Sequence, residues 1–288
     1  MISYLCQKSV IENLDPNLRF QLSSCSPVFR ATEKLTTLRI QKLILKLDEI
    51  QINDVSYNIT DGHFLAKRNE PIVTETLEVH SSALDGLQKS INFRTRNLII
   101  SSNNATEDLQ KLPLDPLSFP LNSITLDWTK FPLESPIFQE TPNLIIRKID
   151  VNRIWNHLES LPQRNIHFLN LDGITSTVHM CKKKMVQLRL RKKCSFGIPD
   201  FETKTFFVQY FNGLKVTGGN KERMNRETRK TIHPFIVIQP IDDDLEMHYY
   251  YEKTPGYKNE NLQNRGLGWN FVMEMLPVDT ITNGLNFC

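Results

Sequence analysis

Five short apolar runs punctuate the middle of this chain: Leu77-Glu78-Val79, Leu98-Ile99-Ile100, Ile124-Thr125-Leu126, Leu144-Ile145-Ile146 and Ile166-His167-Phe168-Leu169. Their first residues lie 21, 26, 20 and 22 positions apart. Asn97, Ser123, Asn143 and Asn165 stand immediately before the last four runs. Runs of this length suit a buried strand and are too short for a core helix. Three candidate return helices fall between them, over Leu84–Ile91, Glu107–Leu112 and Val151–Leu158. Pro113, Pro116, Pro120, Pro132, Pro136, Pro142 and Pro162 mark the connections.

The spacing predicts one strand plus one return segment per unit. A single such unit cannot bury its apolar face, whereas stacked units can, with their strands forming a parallel sheet. The steps sit within the roughly 20–29-residue period of leucine-rich repeats. The full leucine-rich consensus is absent, so the units are irregular and leucine-rich-repeat-like. The competing reading is an ordinary α/β domain with evenly spaced strands.

On the amino-terminal side the pattern changes twice. Leu38-Ile40 and Leu43-Leu45-Leu47 alternate with polar residues, and Ile50, Ile52 and Val55 follow around an Asn53-Asp54 turn signal. That pattern predicts an antiparallel hairpin with one packed face. Before it, Val10, Ile11, Leu14 and Leu18 recur at helical spacing. Asp15-Pro16 and Ser26-Pro27 interrupt this region, and proline suits the first turn of a following helix.

On the carboxyl side, Met185-Val186-Gln187-Leu188-Arg189-Leu190-Arg191 alternates, as does Thr203–Tyr210 less cleanly. Asn212-Gly213 and Gly218-Gly219 are turn signals, and Asn220–Lys230 is almost wholly polar. Phe235–Ile238 and Trp269–Leu276 are further strand candidates. The expected architecture is therefore mixed α/β (α+β). It has a short helical segment over 1–34, irregular βα repeats over 35–180 and a mostly antiparallel β-rich cap over 181–288, packed on the repeats.

Composition excludes several classes. Of 288 residues, 40% are hydrophobic and 23% charged, enough to form a core. A net charge of +3 is too mild to make nucleic acid the main expected partner. No secretory signal and no transmembrane run is visible, so no membrane is expected as partner. Cys6, Cys25, Cys181, Cys194 and Cys288 have no repeated spacing. They read as reduced thiols in a cytoplasmic or nuclear protein.

Motifs for chemistry are missing. There are 11 glycines and no phosphate-binding loop, dinucleotide fingerprint or nucleophile elbow. His167, His179, Cys181 and Cys194 lack the paired spacing of a zinc site. Asp242-Asp243-Asp244 lacks the spaced ligands of a calcium loop and reads as a solvated turn. No metal, cofactor or enzymatic activity is expected. The basic residues over 182–193 (Lys182, Lys183, Lys184, Arg189, Arg191, Lys192 and Lys193) read as a solvated strand face. With Phe206, Phe207, Tyr210 and Phe211 nearby, the alternative is an RNA-binding surface. Tyr249, Tyr250, Tyr251, Tyr257 and Trp269 form the candidate substrate-binding surface, because aromatics with polar tips are enriched at interfaces.

The opening stretch Ser9–Ser23 with Ser26-Pro27-Val28-Phe29-Arg30 resembles part of an F-box. The matching elements are an Ile/Leu helix, Leu18-Arg19, Leu22-Ser23 and Phe29-Arg30. With Glu33-Lys34-Leu35 and Leu38–Leu43 it resembles the start of the nematode F-box C proteins. An F-box usually opens on a Leu-Pro pair, and Met1–Gln7 contains no proline. The resemblance implies a substrate receptor of a cullin-type (SCF) ubiquitin ligase, acting by binding alone. Val10, Ile11, Leu14, Pro16, Leu18, Leu22 and Phe29 would dock on a Skp-type adaptor, and the rest of the chain would capture an unidentified protein substrate. The competing reading packs the same side chains on the first strands as core.

Overall fold

The computed structural model describes residues 4–58, 68, 70–80, 83, 91–102, 105–126, 134–147, 158–169, 174–198, 237–253 and 269–278. The fold is mixed α/β, and the chain divides into two compact units between Leu144 and Ile145.

The first unit begins with helices α1 (Tyr4–Asn13), α2 (Pro16–Cys25) and α3 (Pro27–Glu33). Their starts are set locally. The Asp15 carboxylate accepts from the Asn17 and Leu18 amides at 2.9 and 3.1 Å, with Pro16 in the first turn of α2. Ser26 Oγ accepts from Phe29 N at 3.3 Å, with Pro27 opening α3. These caps satisfy amide donors that a helix start leaves unpaired.

Strands β1 (Leu38–Leu45), β2 (Glu49–Ile52) and β3 (Val55–Asn58) follow, then β4 (Ile72–His80) and β5 (Phe93–Ser101). Helix α4 (Ala105–Lys111) and a 3-10 turn (Pro116–Ser118) lead to β6 (Ser123–Leu126) and α5 (Pro136–Glu140). The sheet order is β6-β5-β4-β1-β2-β3. β1, β4, β5 and β6 are mutually parallel, and β1-β2-β3 is an antiparallel meander. Asn53 takes φ 55° at the β2–β3 turn, and its side chain accepts from the Gln41 and Lys42 amides.

The first three apolar runs come into register with one another and with β1. Leu43, Leu77, Leu98 and Ile124 stand opposite one another across four strands, and so do Leu45, Val79, Ile100 and Leu126. All eight are buried. Each such side chain stabilises by about 1.5–3 kcal/mol relative to exposure. The polar residues before the runs form a second ladder. Asn97 Nδ2 donates to Glu75 O, Asn122 Nδ2 and Ser123 Oγ donate to Asn97 Oδ1, and Asn143 Nδ2 donates to Asn122 O. Side-chain amides thus tie one strand start to the next, each bond contributing about 1 kcal/mol.

The inward face shifts by one residue at a common register. Leu38, Ile40, then Leu43 and Leu45 are buried in β1; Ile72, Thr74, then Leu77 and Val79 in β4; Phe93, Thr95, then Leu98 and Ile100 in β5. A strict alternation in any one strand could not maintain both halves of the core.

β7 (Asn143–Ile146) contains the division between the units. The second unit has β8 (Asn165–Phe168), α6 (Ile174–Leu188), β9 (Lys193–Ile198), β10 (Val237–Pro240), β11 (Leu245–Lys253) and β12 (Trp269–Pro277). Its order is β8-β9-β12-β11-β10. β8 and β9 are parallel with α6 as the crossover, and the other pairs are antiparallel. Phe168, Phe196, Phe271 and Tyr249 form a chain of ring contacts through its core.

One expectation is overturned here. Met185–Arg191 is not an alternating strand: α6 runs through Leu188, and the basic run Lys182–Lys184 is helical. Val178, Cys181 and Met185 form the buried row at helical spacing. Arg189 then takes φ 51°. Leu190 N donates to Met185 O and Arg189 N to Val186 O, the Schellman arrangement that ends a helix. The apparent alternation of Val186, Leu188 and Leu190 straddles this stop.

The expected helix over Glu107–Leu112 overlaps α4, and the strand over Trp269–Leu276 is β12. The helices over Leu84–Ile91 and Val151–Leu158, the strand Thr203–Tyr210 and the stretch Asn220–Lys230 fall largely or wholly outside the described residues. So do the two glycine turns and the aromatics Phe206, Phe207, Tyr210 and Phe211.

Candidate docking surface

The amino-terminal helices divide the adaptor-docking candidates between core and surface. Ile11 is buried, while Leu14, Pro16 and Phe29 are half-buried. Val10 is 60% exposed, Leu18 41% and Leu22 37%. Leu18 and Leu22 are four apart on α2 and share one face. Two further large apolar side chains are exposed, Leu5 on α1 at 74% and Val28 on α3 at 79%. Each of the three helices therefore presents a large apolar side chain to solvent.

The inward face of α2 is Arg19, Phe20 and Ser23. Phe20 lies against the Tyr57 ring of β3 at 4.1 Å, and Tyr57 Oη donates to Asn17 Oδ1 at 2.8 Å. Arg19 is held by Glu33 and by its neighbours in the chain. Its Nη2 donates to Glu33 Oε1 at 2.7 Å and Thr36 Oγ1 at 2.6 Å, and its Nη1 to Thr37 O at 2.9 Å. Arg68 grips the same carboxylate through both oxygens at 2.8 and 2.7 Å and also donates to the Glu33 and Thr36 carbonyls. All three charged side chains are 1% exposed.

Two guanidinium groups thus share one carboxylate away from water. Burial pulls the Arg19 pKa below its ordinary value, and the Glu33 carboxylate opposes that pull. The arrangement ties α2, α3 and Arg68 together. Arg30 adds to it, donating from Nε to Ser23 O at 2.7 Å at the end of α2. Leu18, Leu22 and Val28 thus stand on two helices that this network braces. Apolar periodicity gave no sign of this network, because its members are charged and lie 14 and 35 positions apart.

Tyr249, in the candidate substrate surface, is a core residue at 2% exposed. Its hydroxyl donates to Gln239 Oε1 at 3.0 Å, and Lys182 Nζ lies 5.5 Å from its ring centre. Burial pushes the phenol well above its ordinary range. Tyr250, Tyr251 and Trp269 occupy β11 and β12, and Tyr257 lies outside the described residues.

The basic residues over 182–193 do not form one solvated face. Lys182 is drawn to Tyr249, and Arg189 pairs with Asp242 at 2.9 Å. Lys192 is buried and donates to the Leu161 and Gln163 carbonyls. Asp242, in the expected solvated turn, accepts from the Asp244 and Leu245 amides.

Of the four residues weighed as metal ligands, Cys181 and Cys194 are buried, His179 is exposed, and His167 Nδ1 lies 2.6 Å from Ser195 Oγ. Among the described residues no group of three or more His, Cys, Asp and Glu side chains converges as metal ligands. A cleft of about 440 Å³ lies at the β2–β3 hairpin, lined by Asp48, Glu49, Ser56, Tyr57 and Asn58. Hydrogen bonds from Ser56 and Lys46 hold the Glu49 carboxyl below its ordinary pKa. Among the described residues no helix is long and apolar enough to cross a membrane.

No curated protein and no solved structure matches the chain. Residues 51–180 match the sequence profile of a family described as a domain of unknown function, DUF3557; that stretch runs from β2 into α6 and leaves the three amino-terminal helices outside it.

Proposed function

We propose that this chain is a non-catalytic protein-binding protein of the cytoplasm or nucleus, whose amino-terminal helices dock on a Skp-type adaptor of a cullin ubiquitin ligase. The single observation that carries the reading is the exposure of large apolar side chains on all three helices, Leu5 and Val10 on α1, Leu18 and Leu22 on α2 and Val28 on α3, with α2 and α3 held together by the Arg19–Glu33–Arg68 network. Exposed apolar clusters mark interaction sites when they are contiguous and rigidly held. Substrate capture falls to the rest of the chain, and binding alone performs the function.

The test is a pull-down of purified full-length chain with the Skp-type adaptor, alongside Leu18→Asp with Leu22→Asp. The wild-type chain retains the adaptor and the double variant loses at least tenfold in affinity, with the same circular dichroism spectrum. A folded wild-type chain that retains no adaptor overturns the ligase reading. A double variant that binds as well as wild type overturns the assignment of the surface.

A further inference from the structure

β3 (Val55–Asn58) ends the sheet of the first unit, and among the described residues no strand pairs with its outer side. In an antiparallel pair only alternate residues of a strand bond to its neighbour, so half of the β3 amides and carbonyls point away from β2. Val55, Ser56 and Asn58 are exposed. Tyr57 anchors the strand, with its ring on Phe20 and its hydroxyl on Asn17 Oδ1. A free edge of this kind is a template for one more strand.

The cleft of about 440 Å³ lies at the same edge. Ser56, Tyr57 and Asn58 of β3 line it together with Asp48 and Glu49. Its charge is negative. Lys46 takes the Glu49 carboxylate at 3.0 Å, whereas Asp48 is exposed and has no ion-pair partner among the described residues. Burial and the nearby Asp15 carboxylate push the Tyr57 phenol above its ordinary pKa, so a third carboxylate acts on this region. Among these groups three carboxylates stand against one ammonium.

We propose that the β3 edge is a strand-addition site for an extended peptide, one of whose arginine or lysine side chains enters the acidic cleft. Main-chain hydrogen bonds along a sheet edge supply affinity, and a pocket beside the edge supplies specificity. Successive side chains of the added strand point to opposite faces, so the cleft reads one position and leaves its sequence neighbours unread. An aspartate or glutamate at that position meets Asp48 and Glu49 and is rejected by like charge. The site rests on the proposed function for its meaning, as the place of substrate capture. Binding is measured without adaptor, so either idea can fail alone.

The experiment titrates the isotope-labelled full-length chain with a short acetylated, amidated peptide that alternates valine and threonine around a central arginine. Amide signals are followed by nuclear magnetic resonance. The expected result is saturable shifts at Ser56, Tyr57 and Asn58. A peptide with glutamate at the centre binds more weakly by about fivefold or more, and the arginine peptide with its inner amides methylated does not bind. Asp48→Asn with Glu49→Gln, which keeps side-chain shape, removes the preference for arginine while signals outside the cleft stay in place. If that variant does not fold, the comparison of peptides on the wild-type chain decides. Arginine and glutamate peptides that bind alike, shifts confined to residues outside β2 and β3, or no shift at all overturn the proposal. A chain that sediments as a dimer, with β3 amides protected from hydrogen exchange only in the dimer, also overturns it and gives the edge to a second copy.

Discussion

Helices α2 and α6 are built in opposite senses. α6 buries Val178, Cys181 and Met185 and leaves Lys183 in solvent, as an amphipathic helix on a core does. α2 buries Arg19 beside Phe20 and leaves Leu18 and Leu22 outside. A helix turns a charge inward only if a partner compensates it, and Glu33 with the Thr36 and Thr37 oxygens does so here. The difference teaches that apolar spacing locates the core face of a helix only when nothing charged competes for that face. On α2 the apolar pair Leu18 and Leu22 is left at the surface.

The largest expected effect tests the buried charges. Glu33→Ala leaves two guanidinium groups facing each other without a carboxylate, and urea unfolding should show a loss of about 3–5 kcal/mol. A loss below about 1 kcal/mol would break the comparison, since α2 would then be held mainly by apolar contacts like α6. Next, Met185→Ala removes a fully buried side chain from α6 and should cost roughly 2–5 kcal/mol. A much smaller cost would mean that the α6 row collapses around the deletion.

The smallest effect sharpens the contrast. Leu18→Asp with Leu22→Asp should change unfolding free energy by no more than about 0.5 kcal/mol per site, since both side chains lie at the surface outside the core of the unit. Two charges tolerated on the apolar row of α2 would show that this row contributes little to the fold. A cost of several kcal/mol would return Leu18 and Leu22 to the core and remove the docking surface.

The sequence reading succeeded wherever structure is made by short-range contacts. Asp15-Pro16 and Ser26-Pro27 start helices because each cap is a hydrogen bond to an amide two or three positions on. Asn53-Asp54 turns the chain because Asn tolerates a positive φ. The evenly spaced runs 77–79, 98–100 and 124–126 come into register because parallel strands joined by similar return segments align at similar offsets. The reading failed at Met185–Arg191, where a window of seven residues showed alternation and the longer row from Val178 to Met185 decided for helix. It also could not divide Val10, Ile11, Leu14, Leu18 and Leu22 between core and surface, since all five are apolar and that choice depends on what lies beneath the helices.

The sequence by itself determined that this chain folds as mixed α/β with helices first and recurring buried strands behind them. It also determined where most of those elements begin, because periodicity and caps are local properties of the backbone. Only the tertiary structure decided which side of α2 faces inward, which strands are neighbours, and that Arg19, Glu33 and Arg68 meet. Those outcomes depend on contacts between residues far apart in sequence, 14 and 35 positions for the buried ion pairs and 71 to 81 for β9 against β12. Their free energy arises from desolvation and pairing in the assembled core, and no local pattern encodes it.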